Sequence, residues 1–89
     1  MFRLWGKEFQ NNHLIKDIVI CSGDTELNRT RKVFKSLEEI CMAFDLSVPI
    51  WLDATVEEFR IHSKCRFTQD CFIEHINFDF LEIQVIEED

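Results

Sequence analysis

The closing stretch Asp79-Phe80-Leu81-Glu82-Ile83-Gln84-Val85-Ile86-Glu87-Glu88-Asp89 constrains the fold more than any other part of the chain. Leu81, Ile83 and Val85 alternate with Glu82, Gln84 and Ile86, a period of two residues. Successive side chains of an extended strand point to opposite faces, so this alternation predicts a strand with one buried face. Such a strand must pair with others and lay its apolar face on a second layer. The acids that follow it predict a solvated end.

The opposite end of the chain supplies partners. Phe2, Leu4 and the region of Trp5 predict a first strand, and residues 14–21, apolar and β-branched, a second. Polar Gln10-Asn11-Asn12-His13 between them predicts a hairpin turn. Ser22-Gly23-Asp24 breaks the second strand and offers Asp24 or Thr25 as a helix N-cap. Leu27, Thr30, Val33/Phe34, Leu37, Ile40/Cys41 and Phe44 then recur at helical spacing, which predicts a long helix over about 25–44. Its charges oppose the macrodipole, basic at Arg29, Arg31, Lys32 and Lys35 and acidic at Glu38 and Glu39.

Pro49 forbids continuation of that helix. Ile50-Trp51-Leu52 predicts a short strand or a buried bridge. Thr55 and Glu58 have capping-box spacing, so a second helix is expected over about 55–63. Residues 65–67 suit a short extended piece and 68–76 a third short helix. Together these elements predict one α+β domain over residues 1–89. Its small, mainly antiparallel sheet holds the hairpin, the C-terminal strand and the 50–52 strand, with both helices packed on one face. Phe34, Leu37, Ile40, Cys41 and Phe44 should meet Ile18, Ile20, Leu81, Ile83 and Val85 in the core.

Composition narrows the function classes. Hydrophobic residues make up 46% of 89, enough for a packed core but for little beyond it. Net charge is −7, and it is unevenly placed. Residues 1–44 carry seven Lys/Arg against six Asp/Glu, whereas residues 45–89 carry three against eleven. Most of such a surface repels phosphate, which argues against nucleic-acid binding. It also suits an acidic mimic of nucleic acid, although solubility explains the same charges. No apolar run has signal-peptide or transmembrane character, so a cytoplasmic location without membrane attachment is expected, and reduced thiols with it.

The candidate sites follow from side-chain chemistry. His62, Cys65, Cys71 and His75 are four zinc-competent ligands within fourteen residues, spaced His-x2-Cys-x5-Cys-x3-His. No Cys-x-x-Cys knuckle anchors them, and Cys and His also serve as core fillers, the reading preferred here. Cys65 or Cys71 beside His62 or His75 lacks an oxyanion loop, and no glycine-rich phosphate cradle exists, so no catalytic residue or cofactor is expected. Arg29, Lys32 and Lys35 fall on one helical face that would suit an acidic partner. The expected function is a non-catalytic protein-interaction or regulatory module, self-associating as a homodimer or binding another protein.

Three segments carry a resemblance: Ile50-Trp51-Leu52-Asp53, Arg66-Phe67-Thr68-Gln69-Asp70 with Phe72-Ile73-Glu74, and the stretch from Leu81 to Asp89. With Phe2-Arg3-Leu4-Trp5-Gly6, the chain resembles a group of short uncharacterised proteins of anaerobic, Clostridia-type Gram-positive bacteria. The resemblance implies a bacterial origin and no activity, ligand or catalytic residue.

Overall fold

The computed structural model describes residues 1–88, so Asp89 of the acidic tail lies outside the described residues. Seven elements follow one another: β1 (Phe2–Gln10), β2 (His13–Ser22), α1 (Arg29–Ala43), α2 (Asp53–His62), β3 (Lys64–Thr68), a 3₁₀ turn (Gln69–Cys71) and β4 (Phe80–Glu87). All strand pairs are antiparallel, in the order β2-β1-β4-β3. The chain is therefore α+β, with the N-terminal hairpin and C-terminal strand in one sheet, as the alternation and the helical spacing predict.

Local chemistry explains each boundary. Asn11 and Asn12 both take positive φ, 53° and 66°, the geometry a two-residue hairpin turn needs and one that asparagine tolerates. α1 starts later than expected. Asn28, and not Asp24 or Thr25, caps it by accepting from the Arg31 amide at 2.9 Å, while Asp24 closes a local turn onto the Glu26 amide. α1 also ends before Pro49 can act. Asp45 turns left-handed at φ 56°, and the Leu46 amide reaches back to the Cys41 carbonyl at 2.8 Å.

The capping box is not formed. α2 begins at Asp53, two residues upstream, so Thr55 lies inside the helix, buried, with its hydroxyl 3.9 Å from Cys71 Sγ. Glu58 instead accepts from the Arg66 amide of β3 at 2.8 Å. Residues 50–52 are not a strand; the Ile50 amide donates to the Cys71 carbonyl at 2.7 Å, and the Leu52 carbonyl accepts from the Val56 amide at 3.0 Å. The fourth strand is β3, paired with β4. Only Gln69–Cys71 of the expected third helix is helical.

Registry sorts the side chains onto two faces. Leu4 lies opposite Val85 and Ile20, Gly6 opposite Ile83 and Ile18, and Glu8 opposite Leu81. This face, with Cys65 and Phe67 of β3, meets Leu37, Ile40 and Cys41 of α1 and Phe59 of α2 in the core. Gly6 permits the close approach: a Cβ there would sit 2.6 Å from Ile40 Cγ2. Phe34 corrects the expected core, since 49% of it is exposed and Val33 takes the buried position. The stripe is rotated by one residue because α1 packs toward β1 and β2 while Phe34 turns toward Trp51 and α2.

Candidate interaction surfaces

The His/Cys quartet is not assembled. Cys65 and Cys71 are buried in the core, whereas His62 and His75 are exposed. Among the described residues, no three His, Cys, Asp or Glu side chains stand where they would hold one metal ion. The spacing reads as ligand-like because β3 and the 3₁₀ turn send both sulfurs inward, while α2 and the 74–78 loop leave the histidines outside. Burial raises the Cys65 thiol far above its ordinary range, with nearby Glu58 adding to the effect. Burial likewise pushes Cys41 up to about 11, with the Glu8 carboxylate a lesser cause. These thiols are held in the neutral form, which is unreactive.

The basic cluster is divided between two surroundings. Lys32 is buried at 7% exposure, beside Ser36 on the core side, so the expected shared face of Arg29, Lys32 and Lys35 does not exist. The one-residue rotation of the stripe accounts for it. Arg29 donates to Glu88 at 2.5 Å and to Ser63 Oγ at 3.1 Å, and its guanidinium lies over the Phe59 ring. Lys35 is exposed and lines a shallow depression with Arg31 and Phe34.

The two sheet edges differ in kind. β4 is central, between β1 and β3, which leaves β3 and β2 at the margins. β3 has five residues, among them Lys64 and Arg66, and such short basic edges resist further pairing. β2 runs for ten residues without proline, and all of its residues are half-buried or exposed. Leu14, Ile15 and Val19 are among the exposed apolar residues of the chain. Its two Asp/Lys charges are drawn to β1: Lys16 Nζ is 3.7 Å from Glu8, and Asp17 accepts from Trp5 Nε1 at 2.8 Å. A register shift faces the hairpin end of β2, between Glu8 and Phe9, and residues 16–22 pair regularly beyond it.

A polar cleft opens beside the hairpin, lined by Glu8, Lys16, Phe44, Asp45, His75 and Asn77, with Lys16 Nζ 5.1 Å from the Phe44 ring centroid. Glu8 is buried, and its Oε2 has no hydrogen-bond partner. Burial raises its carboxyl above the ordinary carboxylate range, against the opposing pull of Lys16.

Neither the β2 edge nor the cleft beside Glu8 is flagged by sequence spacing. The β2 edge could have been suspected from the length of its apolar run, but order in the sheet is a tertiary property. Among the described residues, no helix is long and apolar enough to cross a membrane. Compared with protein-family models, curated proteins and solved structures, the chain matches none.

Proposed function

We propose that this chain is a non-catalytic protein-interaction module that joins a second copy of itself by strand pairing along β2. The observation that carries the reading is the contrast between edges, one five residues long with Lys64 and Arg66, the other ten residues long with its Lys16 and Asp17 engaged by Glu8 and Trp5 of β1. An open edge presents unpaired backbone donors and acceptors, and a second strand satisfies them. β2 is also compatible with itself. A two-fold antiparallel register centred on Ile18 sets Asp17 opposite Val19 and Lys16 opposite Ile20, so like charges do not meet.

The neutral, buried thiols and the separation of His62 and His75 from Cys65 and Cys71 support a role without covalent catalysis. A contact dominated by backbone bonds and apolar side chains should be insensitive to salt. Sedimentation velocity across concentration, at low and at high salt, tests this. Concentration-dependent dimerisation is expected under both conditions, and Ile15→Lys/Val19→Lys should lose the association that persists at high salt. A wild-type chain that stays monomeric to millimolar concentration would refute the proposal.

A further inference from the structure

α1 and α2 leave a groove of about 270 Å³ between them, walled by Phe34, Trp51, Val56 and Phe59 and flanked by Arg29 and Arg60. Trp51 organises its walls, edge-on to Phe34, Phe59 and Phe67 with ring centroids 6.0, 5.6 and 5.0 Å away. Phe34 and Val56 each leave 49% of their surface open there. Both charged residues of the lining are arginines, and the adjoining depression beyond Phe34 adds Arg31, Lys35 and a single acid, Glu38. Arg29 is paired with Glu88 and Arg60 with Glu57, so the positive charge in excess beside the apolar slot is that of Arg31 and Lys35. Arg29 and Arg60 each spend Nε and one Nη on partners, and a guanidinium carries five N–H donors.

The chain also displays the complementary shape. Ile73 is 91% exposed, the most open large apolar side chain among the described residues. It stands on a turn anchored by buried Cys71 and Phe72 before it and buried Ile76 after it. The Gln69 side chain closes that turn, accepting from the Ile76 amide at 2.9 Å and donating to the Glu74 carbonyl at 2.7 Å. The Glu74 carboxylate is fixed in turn by the Ser47 amide and hydroxyl at 2.9 and 3.1 Å. Asp70 and Glu74 flank Ile73, and residues 69–79 contain no Lys or Arg. An apolar knob held rigid between acids loses little conformational freedom when it docks.

We propose that the groove between α1 and α2 receives the Ile73 turn of a second copy, with Asp70 and Glu74 meeting Arg29 and Arg60. Knob and groove are different surfaces, so the contact is heterologous and each copy can both give and receive. This contact is independent of β2 pairing, and the experiment is therefore done in the Ile15→Lys/Val19→Lys chain, where the β2 edge is blocked.

Sedimentation velocity of that chain should show concentration-dependent association, weakened by salt. Adding Phe34→Asp or Ile73→Asp should weaken it by at least about tenfold. Val56→Asp serves as a second groove variant, and circular dichroism confirms that each variant is folded. An equimolar mixture of the Phe34→Asp and Ile73→Asp chains should associate again but stop at a dimer, because one chain keeps only its knob and the other only its groove. Met42→Asp, at an exposed position outside both surfaces, should change nothing. The proposal is overturned if the edge-blocked chain is monomeric at millimolar concentration. It is equally overturned if association survives both groove variants, or if the mixture fails to recover it.

Discussion

Lys7 Nζ lies 2.7 Å from Glu82 Oε2 across β1 and β4, on the sheet face opposite the helices, and both residues are buried. Neighbouring side chains bury them where no helix does. The Lys7 ammonium sits 3.9 Å from the Trp5 ring centroid and donates to Gln84 at 3.0 Å. Arg66 reaches Glu82 at 3.2 Å and lies over Phe80, which stacks on Phe9. Asp17 pairs opposite Lys7, so charges alternate across all four strands: Asp17, Lys7, Glu82, Arg66. A one-residue slip of any strand would turn its member of this row toward the apolar core, so the row specifies register.

Removing one member should therefore cost more than a surface ion pair. Glu82→Leu leaves Lys7 buried without its carboxylate, and a loss of about 3 kcal/mol is expected. Lys7→Met leaves Glu82 with Arg66 and should cost less. The double substitution Lys7→Met/Glu82→Leu should recover much of the loss, since a buried pair replaced by apolar residues is often near neutral. Urea unfolding of the wild type and the three variants checks the cycle.

Glu8 and Glu82 should make stability depend on pH with opposite signs. Glu8 is raised by burial despite Lys16, so the folded state holds its proton more tightly than the unfolded chain does. Its contribution is full below the ordinary carboxylate range and is lost as pH rises through its folded value. For Glu82, burial pushes upward, but hydrogen bonds from Lys7 and Arg66 outweigh it and leave the carboxyl lowered. Its contribution is present above the ordinary range and is lost as pH falls through the folded value. Glu8→Gln should accordingly stabilise the protein at neutral pH, the gain vanishing in acid. Glu82→Gln should destabilise it at neutral pH, the loss shrinking in acid. Unfolding midpoints measured from acid to neutral pH separate the two.

Gly6 and Ile40 should be energetically coupled. Gly6→Ala places a methyl 2.6 and 2.8 Å from two carbons of Ile40, and about 1–3 kcal/mol of destabilisation is expected. Ile40→Ala alone opens a cavity and should cost about 2–5 kcal/mol. Because the alanine methyl at position 6 points into that cavity, the double variant should lose clearly less than both single losses together.

How much of this is legible from residues depends on the range over which each feature is set. The alternation of Leu81, Ile83 and Val85 reports β4 because each side chain meets its own face directly. It does not report the neighbours of β4, and the strand proves central because β3, a segment of five residues, covers its second edge. The α1 pattern accepts either Val33 or Phe34 inside, and only the position of α2 decides. Glu82 and Lys7 read as solvent-facing in an alternating strand, and their pairing across distant segments leaves no local trace. The His62-to-His75 spacing has the opposite defect, resembling a site while its members face different surroundings.

Thiol reactivity should separate Cys21 from the rest. Cys21 is exposed at the end of β2, whereas Cys41, Cys65 and Cys71 are buried. Titration of the native protein with a thiol-specific disulfide reagent should modify one cysteine rapidly, and denaturant should release all four. Cys21→Ser should abolish the fast phase. A second fast thiol would show that the core opens far more readily than its packing implies.

The pairing of β2 with a second copy is tested most directly by residue-resolved amide hydrogen exchange at two protein concentrations. In a lone chain, the β2 amides that point away from β1 are open to solvent and exchange freely. On concentration, those amides between Lys16 and Ser22 should become protected while α1 amides keep their rates, and Ile15→Lys/Val19→Lys should abolish the change. Exchange along β2 that is the same at both concentrations would contradict the account.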